Sequence, residues 1–300
     1  MWTKDNLPDL TGKTVIVTGA NTGIGFETAA GLYEAGAQVI LACRDLNKAT
    51  EAIASIQQRK GPGSLAGAQL DLTCLVSIER FATEFTQQYQ FLHVLINNAG
   101  VMIPPASQTA AGFELQFGVN HIGHFALTGR LYPLLKATPG ARIVTVSSLA
   151  YLRGSIDFDN LYSKNSYDPM REYCQSKLAN VFFALELQRR ISASGDGVLS
   201  LVVQPGANNT ELARNMNAAE YAAALERFGT LMEPWQGALP SLYAAASPAV
   251  KGGEFYGPDQ DGGVRGYPAR AIIAPHALDE AIAKRLWQLS EEATGVRFPG

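Results

Sequence analysis

The sequence predicts a single α/β domain, a doubly wound parallel β-sheet flanked by helices on both faces. Its 300 residues are enough for one large domain of this kind. Short apolar runs rich in β-branched residues alternate along the chain with helical patterns, as in folds built from parallel strands and crossover helices. Several of these runs end in glycine or small polar residues, which suit the edge of a parallel sheet where ligands bind.

The composition argues against several other classes of protein. A formal net charge of −3 gives no electrostatic reason to expect nucleic acid as a partner. Cys43, Cys74 and Cys174 are odd in number and far apart, which fits neither a disulfide framework nor a zinc site and favours a reducing compartment, the cytoplasm. The N-terminus is polar, unlike a signal peptide, and no window of about eighteen apolar residues predicts a membrane span.

A glycine-rich turn links the first strand to the first helix. Residues 14–18 predict a buried strand, and a helical pattern begins at Phe26 and ends before Gly36. The turn between them has the spacing Gly-x-x-x-Gly-x-Gly, which lets the backbone approach a pyrophosphate at the helix N-terminus. A glycine turn alone could be structural, but the flanking strand and helix favour a Rossmann-type nucleotide site at Gly19, Asn21, Thr22, Gly23, Ile24 and Gly25.

The end of the second strand predicts the choice of cofactor. Residues 38–42 form this strand, and the position that reads the ribose 2′ group lies about 20 residues past the glycines. An NAD site usually has an acidic residue there, whereas this chain has Cys43 and Arg44. Arg44 suits a 2′-phosphate and favours NADP(H), the alternative being a solvated turn residue. Asp45 is expected to cap a helix over residues 47–58.

The third and fourth strands are expected to end in further ligand-binding residues. A strand over 68–70 ends at Asp71 and Leu72. After a helix over about 75–89, a strand over 93–96 ends in the small and amide residues Asn97, Asn98, Ala99 and Gly100. These residues permit close backbone approach at the ligand-binding edge of the sheet.

The next helix carries two glycines and two histidines. Gly118 and Gly123 inside a helical pattern predict close packing or a distorted turn. His121 and His124 lie three residues apart, close enough on a helix to hold one metal ion together. No third ligand is evident in the sequence, so no metal is expected.

The most informative pair follows a fifth strand over 142–148 and a long irregular loop. Tyr173 and Lys177 are four residues apart in a helical run that ends near Gly195, so they share one face. A phenol near pKa 10 is a poor acid at pH 7, and an ammonium beside it favours the phenolate. The pair is a candidate acid/base with its tuning residue, although the same spacing also occurs in surface pairs.

The C-terminal third is predicted to complete the sheet and cover the site. A sixth strand over 198–203 ends at Gln204-Pro205-Gly206, and the weakly patterned helical segment 208–233 has a length typical of a lid. The remaining predicted elements are a helix over 237–246, a short seventh strand over 253–256 and an amphipathic terminal helix over 277–294.

Taken in order, these motifs resemble the short-chain dehydrogenase/reductase superfamily over about residues 12–260. They are Thr18-Gly19-x-x-x-Gly23-Ile24-Gly25, Asn97-Asn98-Ala99-Gly100, Asn120, Ser148, Tyr173-x-x-x-Lys177 and Pro205-Gly206. The sequence Ala42-Cys43-Arg44-Asp45 and the long insert before Tyr173 are most similar to those of the retinol-dehydrogenase-like and protochlorophyllide-reductase-like branch. That branch mostly prefers NADP(H), in agreement with Arg44.

The resemblance implies a role for each matched residue. Ser148 would hold the substrate oxygen, Tyr173 would exchange a proton with it, and Lys177 would tune Tyr173 and bind the nicotinamide ribose. Asn120 would hold a water that links Lys177 to solvent. The other implied cofactor contacts are Asp71 at the adenine, Thr210 at the carboxamide, and Leu72, Asn98, Ala99, Gly100, Pro205 and Gly206.

Two departures from the family pattern bear on these roles. Ala207, Asn208 and Asn209 follow Pro205-Gly206, where the branch more often has apolar residues and an arginine. Because of this difference, the resemblance does not predict which residues contact the carboxamide or how the lid closes. The N-terminus lacks the membrane anchor that many retinol dehydrogenases carry, which favours a soluble enzyme.

The sequence therefore predicts an NADP(H)-dependent oxidoreductase that transfers a hydride between nicotinamide and a carbonyl or alcohol group. One alternative is a regulatory or non-redox nucleotide-binding protein. Another is a nucleotide-sugar epimerase, which usually has a different glycine spacing and a larger C-terminal domain. The substrate is expected to be a bulky apolar small molecule, such as a secondary metabolite, between Met102, Leu149, Tyr151, Met216, Tyr221 and Trp235.

These expectations define one domain over residues 1–300. Its cofactor-binding and catalytic core spans about 12–206, its substrate lid about 207–250, and its C-terminal helix and tail 276–300. The expected oligomeric state is a monomer or a homodimer.

Overall fold

The sheet at the centre of the protein has eight strands, as seen in a computed structural model that describes residues 1–299. The strands are β1 (Thr14–Thr18), β2 (Gln38–Cys43), β3 (Ser64–Gln69), β4 (Val94–Asn97), β5 (Arg142–Val146), β6 (Leu199–Val203), β7 (Phe255–Gln260) and β8 (Arg265–Arg270). Their order in space is β3-β2-β1-β4-β5-β6-β7-β8.

The strands from β3 to β7 pair in parallel, and β8 pairs antiparallel with β7. Chain order reverses at β1, where Val15 lies opposite Val39 of β2 on one side and Val94 of β4 on the other. Crossovers leave this point in opposite directions, so a crevice opens at the carboxyl ends of β1 and β4. The predicted doubly wound parallel sheet in a single domain is confirmed.

Helices cover both faces of the sheet. They are α1 (Gly23–Glu34), α2 (Leu46–Gln57), α3 (Leu75–Gln88), α4 (Leu115–Phe117), α5 (His124–Ala137), α6 (Pro169–Ser194), α7 (Ala218–Phe228), α8 (Pro234–Ala246) and α9 (Glu280–Thr294). Short 3₁₀ turns lie at Lys4–Asn6, Leu149–Arg153, Glu211–Asn215, Asp261–Gly263 and Pro275–Leu278.

The core forms two layers because neighbouring strand residues point to opposite faces. Val15 and Val17 of β1 pack with apolar residues of α1, α2 and α8. Ile16, between them, packs with apolar residues of α3, α5 and α6 on the other face. All of β1 is buried, as expected for a strand covered on both sides.

A π-helical turn over Gly118–Gly123 separates α4 from α5. At Gly123 a Cβ atom would lie 2.6 Å from the carbonyl oxygen of Leu72, and at Gly118 it would lie 2.3 Å from Thr109 Cγ2. Both positions therefore require glycine. The predicted distorted turn with close packing is confirmed, and the turn places Asn120 at the end of the sheet.

Several predicted boundaries differ from the observed ones. β3 extends from Ser64, because this strand of small, half-exposed residues gives a weak apolar signal. β7 is longer than predicted, and β8 was missed since it carries Gly266 and Pro268, residues that are uncommon in strands. Helix α9 begins at Glu280, later than predicted. Gly300, the end of the expected C-terminal tail, lies outside the described residues.

Two further observations concern residues 1–299 only. Each helix there is too short or too polar to cross a bilayer. His121 and His124 do not belong to any group of three or more side chains that could hold a metal ion.

Candidate active site

The carboxyl ends of β1 and β4 are joined by one side chain, Thr18. Its hydroxyl oxygen accepts hydrogen bonds from the backbone nitrogens of Asn98 and Ala99, each at 2.9 Å. The Asn98 side-chain nitrogen donates in return to the Thr18 carbonyl oxygen at 2.8 Å. The glycine turn after β1 and the Asn97–Gly100 stretch after β4 are thus held side by side.

The glycine turn has the shape of a nucleotide-binding loop. Gly19 and Gly23 have φ angles of +65° and +57°, which other residues rarely adopt. A Cβ atom on Gly25 would lie 2.5 Å from the Gly19 carbonyl oxygen and 2.4 Å from Asn98 Nδ2. Within residues 1–299, Thr22 makes no side-chain cap to α1, and the first turn of α1 has no acidic residue. The helix N-terminus is therefore suited to a pyrophosphate.

The residues expected at the adenosine end lie at the ends of β2 and β3. Arg44 follows β2 with its side chain exposed, and within residues 1–299 it forms no ion pair. Asp45 caps α2 as expected, accepting from the backbone nitrogens of Asn47 and Lys48 at 2.9 and 3.3 Å. Asp71 follows β3, where one carboxylate oxygen accepts two hydrogen bonds from Thr73.

Helix α6 carries the predicted acid/base pair. It begins at Pro169, with the Asp168 side chain accepting from the backbone nitrogen of Arg171 at 2.7 Å, and it ends at Gly195 with φ +72°. Tyr173 and Lys177 are 5% and 4% exposed. Lys177 Nζ donates to the Val146 carbonyl oxygen at 3.2 Å and lies 5.8 Å from the centroid of the Tyr173 ring.

Ser148 lies against the phenol. It follows β5 and caps the 3₁₀ turn Leu149–Arg153, where its hydroxyl oxygen accepts from the Ala150 nitrogen at 3.2 Å. Its side chain lies close enough to the Tyr173 phenol to act on its pKa, which it lowers. The structure thus brings together two hydroxyls from the ends of β5 and α6, as expected for a site that holds a substrate oxygen.

Burial controls the protonation of this site. Burial raises the pKa of Tyr173 to about 12, partly offset by the Ser148 side chain. Burial lowers the pKa of Lys177 to about 8. The expected lowering of the Tyr173 pKa by Lys177 is not seen, because desolvation of the phenol dominates and the ammonium donates to Val146. Tyr173 is therefore a protonated phenol at neutral pH.

Asn120, in the π-helical turn, borders the same space. Its side chain accepts from the Val101 nitrogen at 2.9 Å and donates to the Val101 oxygen at 3.0 Å. A Cβ atom on Gly100 would lie 3.4 Å from Asn120 Oδ1 and 3.5 Å from Lys177 Nζ. Glycine at position 100 therefore leaves a small cradle, about one methyl group in size, between the lysine and the asparagine.

The stretch after β6 closes the other side of the cleft. Gly206 has φ +73° and packs against the Val264 carbonyl, where a Cβ atom would lie 2.4 Å away. Thr210 begins the 3₁₀ turn Glu211–Asn215 and faces the glycine turn, since a Cβ atom on Gly23 would lie 3.4 Å from Thr210 Cβ. This position fits a residue that contacts a bound dinucleotide.

Asn208, one of the residues that depart from the family pattern, contacts its own turn and helix α8. Its Nδ2 donates to the Pro205 oxygen at 2.7 Å. Its Oδ1 is buried and has no partner among residues 1–299. A Cβ atom on Gly237 of α8 would lie only 2.3 Å from this oxygen. The Asn208 side chain therefore occupies space that a larger residue at position 237 would need.

The six residues expected to wall the substrate pocket have three kinds of surroundings. Met102, Leu149, Met216 and Tyr221 are half-buried. Tyr151 is a core residue instead, because its ring packs against Phe255 and its hydroxyl oxygen accepts from the Ala274 nitrogen at 3.2 Å. Trp235 is 47% exposed at the start of α8, where it lines a separate cavity of about 400 Å³ together with Lys4, Glu27, Gly31, Arg59, Leu239 and Leu242.

Sequence reasoning missed the side chains that hold the pocket loop 101–104. Gln116 is fully buried and accepts from the Ile103 nitrogen at 2.8 Å, which fixes Ile103 at φ +42°. Asn215 Nδ2 donates to the Met102 oxygen at 3.0 Å, and the Tyr167 hydroxyl donates to Pro104. The signal available in the sequence was that Gln116 stands with Glu114 between the two aromatic residues Phe113 and Phe117.

Comparison with known proteins agrees with this geometry. The family model for short chain dehydrogenases matches residues 13–221. The chain belongs to the short-chain dehydrogenase family. Its match to this family includes the glycine turn, the Asn97–Gly100 stretch, and Tyr173 with Lys177. The predicted family is confirmed, and its members bind a nicotinamide cofactor.

Relatives place this short-chain dehydrogenase in the retinol-dehydrogenase-like branch, as predicted. It is 43% identical to human retinol dehydrogenase 11 over 290 residues, covering 96% of this chain and 87% of the relative. It is 41% identical to mouse retinol dehydrogenase 14 over 300 residues, covering 95% and 86%. A crystal structure of an uncharacterized protein from Mycobacterium paratuberculosis aligns with a TM-score of 0.83 and 38% identity, covering 100% and 99%.

Proposed function

We propose that this short-chain dehydrogenase is an NADP(H)-dependent oxidoreductase that reduces the carbonyl group of a bulky apolar molecule, or oxidises the corresponding alcohol. The observation that carries the proposal is the meeting of Ser148 and Tyr173 beside the cradle formed by Gly100, Asn120 and Lys177. This arrangement offers hydrogen-bond donors for a substrate oxygen next to the space for a nicotinamide ribose.

The proposed chemistry at the protein is proton transfer. A bound nicotinamide supplies or accepts the hydride at the substrate carbon. In the reductive direction Tyr173 donates its proton to the carbonyl oxygen while Ser148 holds that oxygen, and the product is an alcohol. The raised pKa of Tyr173, about 12 because of burial, keeps this proton available at neutral pH. In that direction Lys177 and Asn120 would hold the ribose and return a proton to Tyr173.

The preference for NADP(H) rests on Arg44 and Cys43. Arg44 is exposed at the end of β2 and free of ion pairs within residues 1–299, so it can reach a 2′-phosphate. Cys43 is buried and takes the place at which an acidic residue would accept from a 2′-hydroxyl. The other proposed cofactor contacts are Gly19, Asn21, Thr22, Gly23, Ile24, Gly25, Asp71, Leu72, Asn98, Ala99, Gly100, Pro205, Gly206 and Thr210.

The apolar character of the substrate rests on the pocket residues and on the relatives. Met102, Leu149, Met216 and Tyr221 remain as proposed walls, and the 207–233 segment remains as the proposed lid. The lid expected over about 207–250 includes helix α8, whose residues Gly237–Ala246 are nearly all buried against α1 and the sheet. We therefore propose that the 207–233 segment is the part that moves. Retinol dehydrogenases are the most informative relatives, so retinaldehyde and other long apolar aldehydes and ketones are the first substrates to try.

The cellular setting is proposed from the cysteines. Cys43, Cys74 and Cys174 are free, and two of them are buried, which supports a reducing compartment such as the cytoplasm. A monomer or a homodimer is proposed, with a small-molecule substrate as the partner.

The test combines cofactor binding with turnover. Quenching of tryptophan fluorescence measures the dissociation constants of NADPH and NADH, and absorbance of NADPH measures its oxidation with a panel of apolar aldehydes and ketones. We expect tight NADPH binding and turnover with at least one apolar carbonyl. Binding without any turnover, in either direction across the panel, would instead support a regulatory nucleotide-binding protein. The Tyr173→Phe variant serves as the control for background reduction.

A further inference from the structure

Two histidines close to the active site have different surroundings, although both are buried and only three residues apart. His121 lies within the π-helical turn and His124 begins α5; each is 1% exposed. His121 Nε2 contacts Ser290 Oγ of α9 at 2.9 Å, and within residues 1–299 its Nδ1 has no partner. His124 uses both ring nitrogens, and both of its partners belong to the active site.

The partners of His124 determine which ring nitrogen carries the proton. Nδ1 lies 3.0 Å from the Asn120 carbonyl oxygen, which can only accept, so Nδ1 must be the donor. Burial lowers the pKa of His124 to about 4, so the ring is neutral at pH 7. Nε2 is then an acceptor, 2.9 Å from Thr18 Oγ1. Thr18 Oγ1 also lies 3.3 Å from the Ile96 carbonyl oxygen, but its contact with the bare Nε2 is shorter. We therefore assign the Thr18 hydroxyl proton to His124.

The hydroxyl of Thr18 extends this chain of hydrogen bonds to β4. Because its one proton goes to His124, its oxygen is left as an acceptor for the backbone nitrogens of Asn98 and Ala99. Every donor in the chain points the same way, from the Asn98 and Ala99 backbone through Thr18 and His124 to the Asn120 carbonyl. Hydrogen bonds arranged in one direction strengthen one another in a dry interior.

We propose that His124 is a positioning residue that holds the Asn120 carbonyl and the Asn98–Ala99 backbone in one fixed arrangement for cofactor binding. Asn120 and Gly100 border the cradle beside Lys177, and Asn98 packs against the glycine turn at Gly25. We call the hydrogen bonds from the Asn98 and Ala99 backbone through Thr18 and His124 to the Asn120 carbonyl the relay. The relay connects the two walls of the cofactor cleft through a single imidazole in the Nδ1–H form. The proposal rests on the proposed cofactor site but not on any particular substrate.

The first experiment compares His124→Phe with His121→Phe. Both variants replace a fully buried imidazole in the same helical stretch by an apolar ring, so they carry a similar packing change. The dissociation constant is measured by fluorescence for whichever of NADPH and NADH binds the wild type more tightly. We expect His124→Phe to weaken binding at least tenfold and His121→Phe to leave it within about twofold. Equal effects of the two variants, or unchanged binding in His124→Phe, would overturn the proposal.

Two further variants test the relay itself. Glutamine can donate at one end and accept at the other, so His124→Gln is expected to recover most of the lost affinity, which a role in packing alone would not predict. Thr18→Val removes the hydroxyl, and combining it with His124→Phe should weaken binding little more than the worse single change. Independent, multiplicative losses in the double variant would contradict the relay.

The tautomer of His124 can be read in the wild-type protein, which covers the case in which His124→Phe does not fold. Nitrogen-15 NMR of histidine-labelled protein, with His121→Phe used for assignment, distinguishes a protonated Nδ1 from a protonated Nε2. The relay requires protonated Nδ1 and bare Nε2 at pH 7. The opposite tautomer would overturn it. Neither measurement involves turnover, so a failure to find a substrate would leave this result unaffected.

Discussion

Helix α6 and the 207–233 segment both border the active site, yet they are held in place in opposite ways. In α6 every side chain from Glu172 to Leu187 is buried. The 3₁₀ turn Glu211–Asn215 and helix α7 bury none of their side chains. The acid/base pair is thus fixed by close packing, which permits little displacement, whereas the segment opposite it depends on a few hydrogen bonds.

The hydrogen bonds of the 207–233 segment are mostly local. Asn217 and Glu220 cap the start of α7, and the backbones of Asn209 and Met232 are paired at the base of the segment. Asn215 adds a contact with the pocket loop through the Met102 carbonyl. Few buried contacts hold this segment, which agrees with the lid proposed for it. The comparison teaches that changes in α6 should act on turnover, and changes in the segment on substrate capture.

The largest effect is expected in helix α6, the closely packed element. Tyr173→Phe removes the proton donor but leaves the ring in place, so kcat should fall about 10²- to 10⁴-fold while the cofactor dissociation constant stays within about twofold. Steady-state kinetics and fluorescence titration measure the two quantities. Tyr162→Phe, which changes a tyrosine outside the site, is the matched control and should keep full activity. Activity of Tyr173→Phe within tenfold of wild type would exclude Tyr173 as the donor.

A second effect should appear at the end of β2, where selectivity depends on an exposed side chain placed by a buried strand. A charge-assisted contact between Arg44 and a 2′-phosphate contributes about 1.5 to 3 kcal/mol, or roughly ten- to a hundredfold in affinity. Cys43→Asp combined with Arg44→Leu should lower the preference for NADPH over NADH by at least this factor, since the carboxylate also repels the phosphate.

The ratio of kcat/KM for the two cofactors measures this preference before and after the double change. Arg285→Leu, on α9, removes an arginine far along the chain and should leave the ratio unaltered. If the wild type uses NADH as readily as NADPH, Arg44 has no role in cofactor choice.

The third effect is expected in the packed interior beside α6, where His121 lies against Phe183 and His124 begins α5. Burial lowers the pKa of His121 to about 3 and that of His124 to about 4, whereas an unfolded histidine titrates near 6.5. The unfolded chain therefore binds protons more readily, and the stability from these neutral rings is present above pH 6.5 and lost as pH falls toward 4. Each ring contributes a slope of about 1.4 kcal/mol per pH unit in that range.

Urea unfolding at several pH values between 6.5 and 4.5 measures this slope. His121→Phe removes one of the two histidines, so its free energy of unfolding should depend on pH less steeply than that of the wild type by about 1.4 kcal/mol per unit. Identical slopes for the two proteins would mean that His121 is protonated or exposed in the folded state.

The smallest effect is expected in the 207–233 segment, which few buried contacts hold. Asn215→Ala removes the hydrogen bond to the Met102 carbonyl, a contact typically worth about 0.5 to 1.5 kcal/mol. KM for a bulky substrate should rise roughly two- to tenfold, with kcat, cofactor binding and melting temperature nearly unchanged. Arg214→Ala, one residue away and exposed, is the matched control. A loss of kcat in Asn215→Ala would show that the segment shapes the chemistry as well as substrate capture.

The features that could be predicted from the sequence are those that demand one residue type. Gly19, Gly23 and Gly25 could be recognised because positive φ angles and close backbone contacts exclude other residues. The spacing of Tyr173 and Lys177 fixes a shared helix face, whatever surrounds them. The fold class followed from the same logic, since buried parallel strands read as continuous apolar runs.

The features that could not be predicted depend on three-dimensional surroundings. Nothing in the sequence says that Tyr151 turns into the core, or that Trp235 faces a separate cavity beside α1. The pKa of Tyr173 is set mainly by desolvation, which depends on residues distant in the chain. The hydrogen bonds of Gln116 and His124 likewise join distant stretches, so their partners become visible only in the fold.

The contact between Asn208 and Gly237 has a consequence for protein engineering. The Asn208 amide fills the space in which a side chain at position 237 would begin, and a Cβ atom there would lie 2.3 Å from its oxygen. The two positions therefore form one unit, although they lie in different elements. A chimaera that exchanges the 207–233 segment for that of a relative with a different residue at 208 has to exchange position 237 with it, or it inherits a clash or a void at the joint.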